Sequence, residues 1–266
     1  RSGGWPDGGV VSWGEEGWVM PPKWRAHGGP STLRLADDRG AGHLTTMLAD
    51  RRPFVLLDDA RADGSARLYR DPVRIVEATD AAGVIPALAA IRAAVAQGLQ
   101  AAGYIAYDAG TALMSPAPLP APSSSARAAD TPLLWFGLFA DHVALTSADV
   151  AAMLPDPAGA WAGAPMPTVS RDAYDRSLAR VLDLIRAGDI YQANLTFAAQ
   201  VSIVGDPLAV YARLRREAQA GYGAVVATGR ETLLSLSPEL FVSVDGDQLL
   251  CRPVKGTAPR GANADE

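Results

Sequence analysis

The chain has 266 residues, 48% hydrophobic and 20% charged, enough for one large core or two smaller ones. A net charge of −5 and an isoelectric point near 5.3 exclude a basic surface for nucleic acid or an anionic membrane, and no apolar run approaches the ~20 residues of a membrane helix. One cysteine, Cys251, excludes an internal disulfide, and a reducing cytoplasm is the expected compartment.

Residues 1–32 are rich in Gly, Pro and Trp (Trp5, Trp13, Trp18, Trp24) and read as an irregular lead-in. They lack the basic and apolar regions of a secretory signal. Their glycines lack the strand–Gly–helix context of a phosphate loop. Phe54–Asp58 reads as a short apolar strand, and strands are expected at Arg67–Arg70 and Val73–Glu77, split by Pro72. Pro86–Gln100 reads as a helix, with Leu88, Ile91, Val95 and Leu99 spaced by three and four. A strand follows at Gly103–Tyr107. Residues 114–132, with five prolines and three consecutive serines, read as a surface loop. Strands resume at Leu133–Phe139 and His142–Leu145, and Pro155–Pro167 reads as another loop.

The second half is more regular. Ser170 caps a helix expected over Arg171–Ala187, with Tyr174, Leu178, Val181, Leu182 and Ile185 as its apolar stripe and Gly188 as its left-handed stop. From Tyr191 to Ile203 the chain alternates: Tyr191, Ala193, Leu195, Phe197, Ala199, Val201 and Ile203 on one side, and Gln192, Asn194, Thr196, Gln200 and Ser202 on the other. That predicts a half-buried antiparallel strand. Asp206 and Pro207 open a helix with Leu208, Tyr211 and Leu214 inward and Gly221 at its end. Strands are expected at Ala224–Thr228 and Thr232–Ser235. A hairpin follows, Leu240–Val244 with Gln248–Val254 around Asp245-Gly246. The fold class is α+β, with large antiparallel sheets and outer helices. The expected organisation is a lead-in (1–32), an N-terminal region (33–165) and part of a second domain (166–266).

Two segments carry candidate chemistry: Ser237-Pro238-Glu239 and Pro253-Val254-Lys255-Gly256-Thr257. They flank the hairpin, so side-by-side pairing of Glu239 and Lys255 is favoured without being forced. Such a pair is either a solvated ion pair or a nucleophilic amine beside a general base. Of the 24 basic residues only Lys23 and Lys255 are lysines, and a lysine, unlike an arginine, can lose its proton when buried. Gly256 permits close approach of a ligand, and Thr257 offers a hydroxyl to an anion. His27, His43 and His142 lack metal-ligand spacing. Cys251 reads as a core residue.

These motifs resemble the chorismate-using family of aminodeoxychorismate synthase component I. Pro253–Thr257 is similar to its Pro-Ile-Lys-Gly-Thr motif, and Ser237–Glu239 to its Ser-Pro-Glu motif. Arg186-Ala187-Gly188-Asp189-Ile190-Tyr191-Gln192-Ala193-Asn194-Leu195 is similar to a third segment. Gly103–Asp108 and Leu134–Gly137 resemble weaker N-terminal signatures. The resemblance covers roughly Pro53 to the end and is strongest from Ser170.

The resemblance implies an anthranilate-synthase-component-I-like fold that binds chorismate and Mg²⁺ between large antiparallel sheets. Lys255 then attacks C2 of chorismate and displaces the C4 hydroxyl, ammonia enters at C4, and Glu239 is the general acid/base. Gly256 and Thr257 line the substrate site. Ammonia comes from a glutamine amidotransferase subunit. Anthranilate and isochorismate synthases carry Ala at the lysine position, so Lys255 favours 4-amino-4-deoxychorismate on the way to 4-aminobenzoate and folate. The family's Mg²⁺ ligands are expected beyond residue 266, so the chain reads as an N-terminal fragment, inactive alone. The alternatives are another product of the same family or a non-catalytic binding module. Relatives that bind tryptophan use Leu-Leu-Glu-Ser and Asn-Pro-x-Pro segments. Here those places read Leu56-Leu57-Asp58-Asp59 and Ala220-Gly221-Tyr222-Gly223, which does not predict such a site. These variants are similar to forms fused to an aminodeoxychorismate lyase.

Overall fold

The computed structural model describes residues 33–34, 41–113 and 131–254. In chain order they form β1 (Leu33–Arg34), α1 (Ala41–Ala49), β2 (Phe54–Asp58), β3 (Ser65–Arg70), β4 (Arg74–Ala78), α2 (Ala81–Ala96), β5 (Gln100–Ile105) and α3 (Gly110–Leu113). Next come β6 (Leu134–Phe139), β7 (Val143–Thr146), α4 (Ser147–Met153), β8 (Ala160–Ala162), β9 (Met166–Pro167) and α5 (Arg171–Ala187). The rest are β10 (Ala199–Gln200), β11 (Ile203–Gly205), α6 (Pro207–Ala218), β12 (Tyr222–Ala227), β13 (Thr232–Ser237), β14 (Leu240–Asp245) and β15 (Gln248–Arg252).

Side-chain alternation along β2 organises the core. Phe54 and Leu56 point to one face and Val55 to the other, and all are fully buried. The strand sits inside a six-stranded sheet of order β1-β7-β3-β2-β12-β13, antiparallel except for the short β1–β7 pairing. On the Phe54 face, Leu44 and Met47 of α1, Val150 and Met153 of α4, and Leu208 and Tyr211 of α6 complete one cluster. On the Val55 face, Tyr69 and Val226 meet Ala102, Trp135 and Phe139 of a three-stranded sheet, β4-β6-β5. The far side of that sheet is covered by α2 through Val84 and Ala87. The result is a helix–sheet–sheet–helix stack of the α+β class. The two N-terminal signature segments lie side by side in it, with Gly103 opposite Phe136 and Tyr104 opposite Trp135.

The six-stranded sheet draws strands from both sides of residues 165–166, since β12 pairs with β2 along Gly223↔Asp58 to Ala227↔Phe54. Strand pairing by residues so far apart in sequence leaves no local signal.

Several expectations are corrected. Helix α2 starts at Ala81, not Pro86, because Asp80 accepts a hydrogen bond from the Gly83 amide at 2.8 Å and caps it. Pro86 removes one early helical bond, and burial of Val84, Ala87 and Ala94 holds the helix around it. Val95 is exposed, and the helix ends at Ala96, so Leu99 is outside it. The 155–167 loop contains β8 and β9. Helix α6 ends at Gln219, left-handed at φ 46°, rather than at Gly221, and Leu214 is exposed. The hairpin loop is Gly246-Asp247, since Asp245 pairs with Gln248, and Gly246 at φ 61° takes the first loop position.

The largest correction is the 191–203 strand. Only Ala199–Gln200 and Ile203–Gly205 are strand, in short ribbons with β9 and β8. Tyr191 is 91% exposed and Phe197 47%. Alternation stabilises a strand only when a neighbouring layer buries the apolar side, and among the described residues none covers this one. The 1–32 lead-in and most of the proline-rich 114–132 loop lie outside the described residues. Cys251 is half-buried on β15 rather than in the core.

Candidate functional site

The Ser-Pro-Glu motif is the turn between β13 and β14. The Ser237 hydroxyl accepts from the Glu239 amide at 3.1 Å and donates to the Glu239 carbonyl at 3.0 Å. A serine beside a proline thus fixes the backbone that presents Glu239. The Glu239 side chain is exposed, and among the described residues it has no ion-pair partner. Beyond it, β14 pairs with β15 from Leu240↔Arg252 to Asp245↔Gln248, with a register shift between Leu240 and Ser243. Lys255, Gly256 and Thr257 lie outside the described residues, so the structure does not address their pairing with Glu239.

The other motif-bearing element, α5, matches its sequence expectation. Ser170 accepts from the Ala173 amide at 3.3 Å, and Gly188 closes the helix at φ 82°. Beyond the exposed Tyr191–Asn194 stretch, Phe197 returns to the helix in an edge-on contact with Tyr174, ring centroids 5.6 Å apart. Thr168 also bonds the Ala198 carbonyl. Helix α5 buries no residue, and Leu182 and Ile185 of its stripe are 40% and 37% exposed. No described residue between Met153 and Leu208, or after Thr228, is buried. The segment after α5 and the Ser237–Glu239 turn therefore both lie in stretches of the chain that bury no described residue.

The most developed polar constellation was not singled out in the sequence. Asp58, at the end of β2 on the Phe54 face, is 3% exposed. Arg215 of α6 clamps it, Nε to Oδ2 at 2.6 Å and Nη2 to Oδ1 at 3.0 Å. Tyr211 donates to Oδ2 at 2.9 Å, and Arg215 Nη2 also donates to the hydroxyl and carbonyl oxygens of Ser147 at 2.9 and 3.2 Å. The signal was present. Asp58 continues the inward period of Phe54 and Leu56, and Leu208, Tyr211 and Arg215 share one helix face. A buried carboxylate requires such a partner. Burial, and then the Asp58 charge, push the Tyr211 phenol well above its ordinary range.

Around this clamp meet the Leu56–Asp59 and Ala220–Gly223 segments. Asp58 pairs with Gly223, and the Ala60 amide donates to the Ala220 carbonyl at 3.0 Å. A Cβ on Gly223 would stand 2.7 Å from the Tyr211 hydroxyl oxygen, so glycine there makes room for the clamp. Asp59 is taken by Arg61, whose hydrogen bonds hold its carboxyl below the ordinary range against the opposing effect of burial. The Arg61 guanidinium also lies 6.0 Å from the Tyr222 ring centroid.

Among the described residues no group of three or more His, Cys, Asp or Glu side chains is placed to hold a metal ion. His142 is buried, with Nδ1 2.7 Å from Gln100 Oε1 and its ring against Tyr69, a packing role. Among the described residues no helix is long and apolar enough to cross a membrane.

A family model described as chorismate binding enzyme matches residues 52–266. The chain is 33% identical over 130 residues to 2-amino-4-deoxychorismate synthase of Streptomyces globisporus, covering 47% of this chain and 26% of that protein. It is 38% identical over 97 residues to anthranilate synthase component 1 of Thermus thermophilus, covering 36% and 21%. It is 35% identical over 92 residues to aminodeoxychorismate synthase component 1 of Salmonella typhimurium, covering 35% and 20%. The matches thus span about a fifth to a quarter of the length of these relatives.

Proposed function

Because the chain belongs to the chorismate binding enzyme family, we propose that it is part of a synthase that aminates chorismate at C4 to give 4-amino-4-deoxychorismate, a precursor of 4-aminobenzoate and folate. The observation that carries this reading is Lys255 in Pro253-Val254-Lys255-Gly256-Thr257, one of only two lysines among the chain's 24 basic residues. The neutral Lys255 amine attacks C2, both conjugated ring double bonds shift around the ring away from C2, and the C4 hydroxyl leaves as water with a proton from Glu239. Ammonia then adds at C4 and the lysine leaves C2, its amine regenerated. Gly256 and Thr257 contact the substrate. A glutamine amidotransferase subunit supplies the ammonia, and Mg²⁺, with ligands outside this chain, is the cofactor.

Two features of the structure support this reading. The Ser237–Glu239 turn fixes the backbone that carries Glu239 and leaves its side chain exposed, within reach of a bound substrate. The apolar stripe of α5 and the exposed side chains of Tyr191 and Phe241 suit the first part of a catalytic domain whose remaining layers cover them. The similarity to an anthranilate synthase component 1 supports a second product, anthranilate, against which Lys255 argues. Incubating the complete protein with chorismate, Mg²⁺ and ammonium, with separation of products by mass, tests the choice. Aminodeoxychorismate or 4-aminobenzoate supports the first reading, and anthranilate the second.

A further inference from the structure

A cavity of about 400 Å³ lies between α6 and the loop after α4, on the helix side of the six-stranded sheet. Its apolar wall includes Ala60, Leu154, Pro157 and Ala212. Arg215 and Arg216 of α6 also line it. Three of the five Arg215 donors are used, Nε on Asp58 and both Nη2 hydrogens on Asp58 and Ser147. Its Nη1 group has no acceptor among the described residues, although the residue is only 8% exposed. Unsatisfied donors on a buried guanidinium are uncommon and mark a place where an acceptor is expected. Arg216 is exposed and forms no ion pair among the described residues.

We propose that this cavity binds a small apolar monocarboxylate, its carboxylate accepting from Arg215 Nη1 and paired with the Arg216 charge. Asp58 already neutralises Arg215, so Arg216 supplies the positive charge that a bound anion needs. The carboxylate of Asp156, which caps the following turn by accepting from the Ala158 amide at 2.9 Å, also lines the cavity. It repels a second negative charge, which disfavours inorganic phosphate and dicarboxylates, chorismate among them. The volume lies near the small end of the ~300–1,000 Å³ range of ligand pockets and suits one ring. This inference stands apart from the proposed amination, because it is read as binding to this chain without turnover.

The test is titration of the isotopically labelled chain with benzoate, benzamide and inorganic phosphate, followed by nuclear magnetic resonance. Benzoate is expected to shift the methyl signals of Ala60 and Ala212 and the Arg215 Nε signal saturably, with benzamide and phosphate about tenfold weaker or more. Arg216→Ala should weaken benzoate about tenfold, and Ala212→Leu, which fills the cavity without touching the Asp58 clamp, should abolish its binding. Benzamide or phosphate binding as tightly as benzoate would overturn the proposal. So would the absence of saturable shifts, or benzoate binding indifferent to both substitutions.

Discussion

Arg215 and Asp58, separated by 157 positions in sequence, form a two-point hydrogen-bonded pair inside the core, joining α6 to the end of β2. The side chains are 9% and 0% exposed, so neither charge has water to fall back on. Removing one partner strands the other in a low-dielectric interior.

Asp58→Ala is therefore expected to lower the unfolding free energy of this chain by about 3–5 kcal/mol, read from urea denaturation. The double replacement Asp58→Leu with Arg215→Met removes both charges and should recover most of that loss. Equal destabilisation by the single and double changes would show that the pair carries no such penalty.

Gly223→Ala places a methyl group against the Tyr211 hydroxyl and 3.0 Å from the Asp58 carbonyl. A loss of about 1–3 kcal/mol is expected. Tyr211→Phe removes the hydroxyl oxygen and should relieve part of it, so the double variant falls short of the sum of the singles. Strict additivity in denaturant melts would contradict the contact.

Stability should fall at both ends of the pH scale. Burial, with Arg67 second, holds the His142 imidazole below its ordinary 6.5 against the opposing pull of Asp141. The folded state thus prefers neutral His142, whose contribution is complete above 6.5 and declines as pH falls through the folded value. At the alkaline end the raised phenol of Tyr211 keeps its contribution below 10.0 and loses it as pH rises further. His142→Gln should flatten the acid arm and Tyr211→Phe the alkaline arm of melting temperature against pH; unchanged arms would remove these groups as the cause.

Helix α5 buries nothing, while β2 and β12 lie in the centre of the six-stranded sheet. Amide hydrogen exchange in this chain is expected to be much faster across residues 171–187 than in β2 or β12. Matching protection would mean that the stripe is covered.

Local chemistry was legible where it acts within a few residues. Ser170 and Gly188 bound α5 and Asp206 opens α6 as their capping chemistry requires. The 191–203 alternation misled because period-two patterning reports which side wants a cover, not whether a cover exists. The Asp58–Arg215 clamp and the β2–β12 pairing join residues far apart in sequence, which periodicity cannot connect. Of the candidate site, only the Glu239 turn falls within the described residues. Lys255 lies outside them and was identified by residue type and motif alone.

The most direct test of the central claim is product analysis of the complete protein, wild type against Lys255→Ala, given chorismate, Mg²⁺ and ammonium. The account predicts aminodeoxychorismate or 4-aminobenzoate from the wild type and loss or diversion of 4-amination in the variant. Unchanged 4-amination without Lys255, or anthranilate from the wild type, would contradict it.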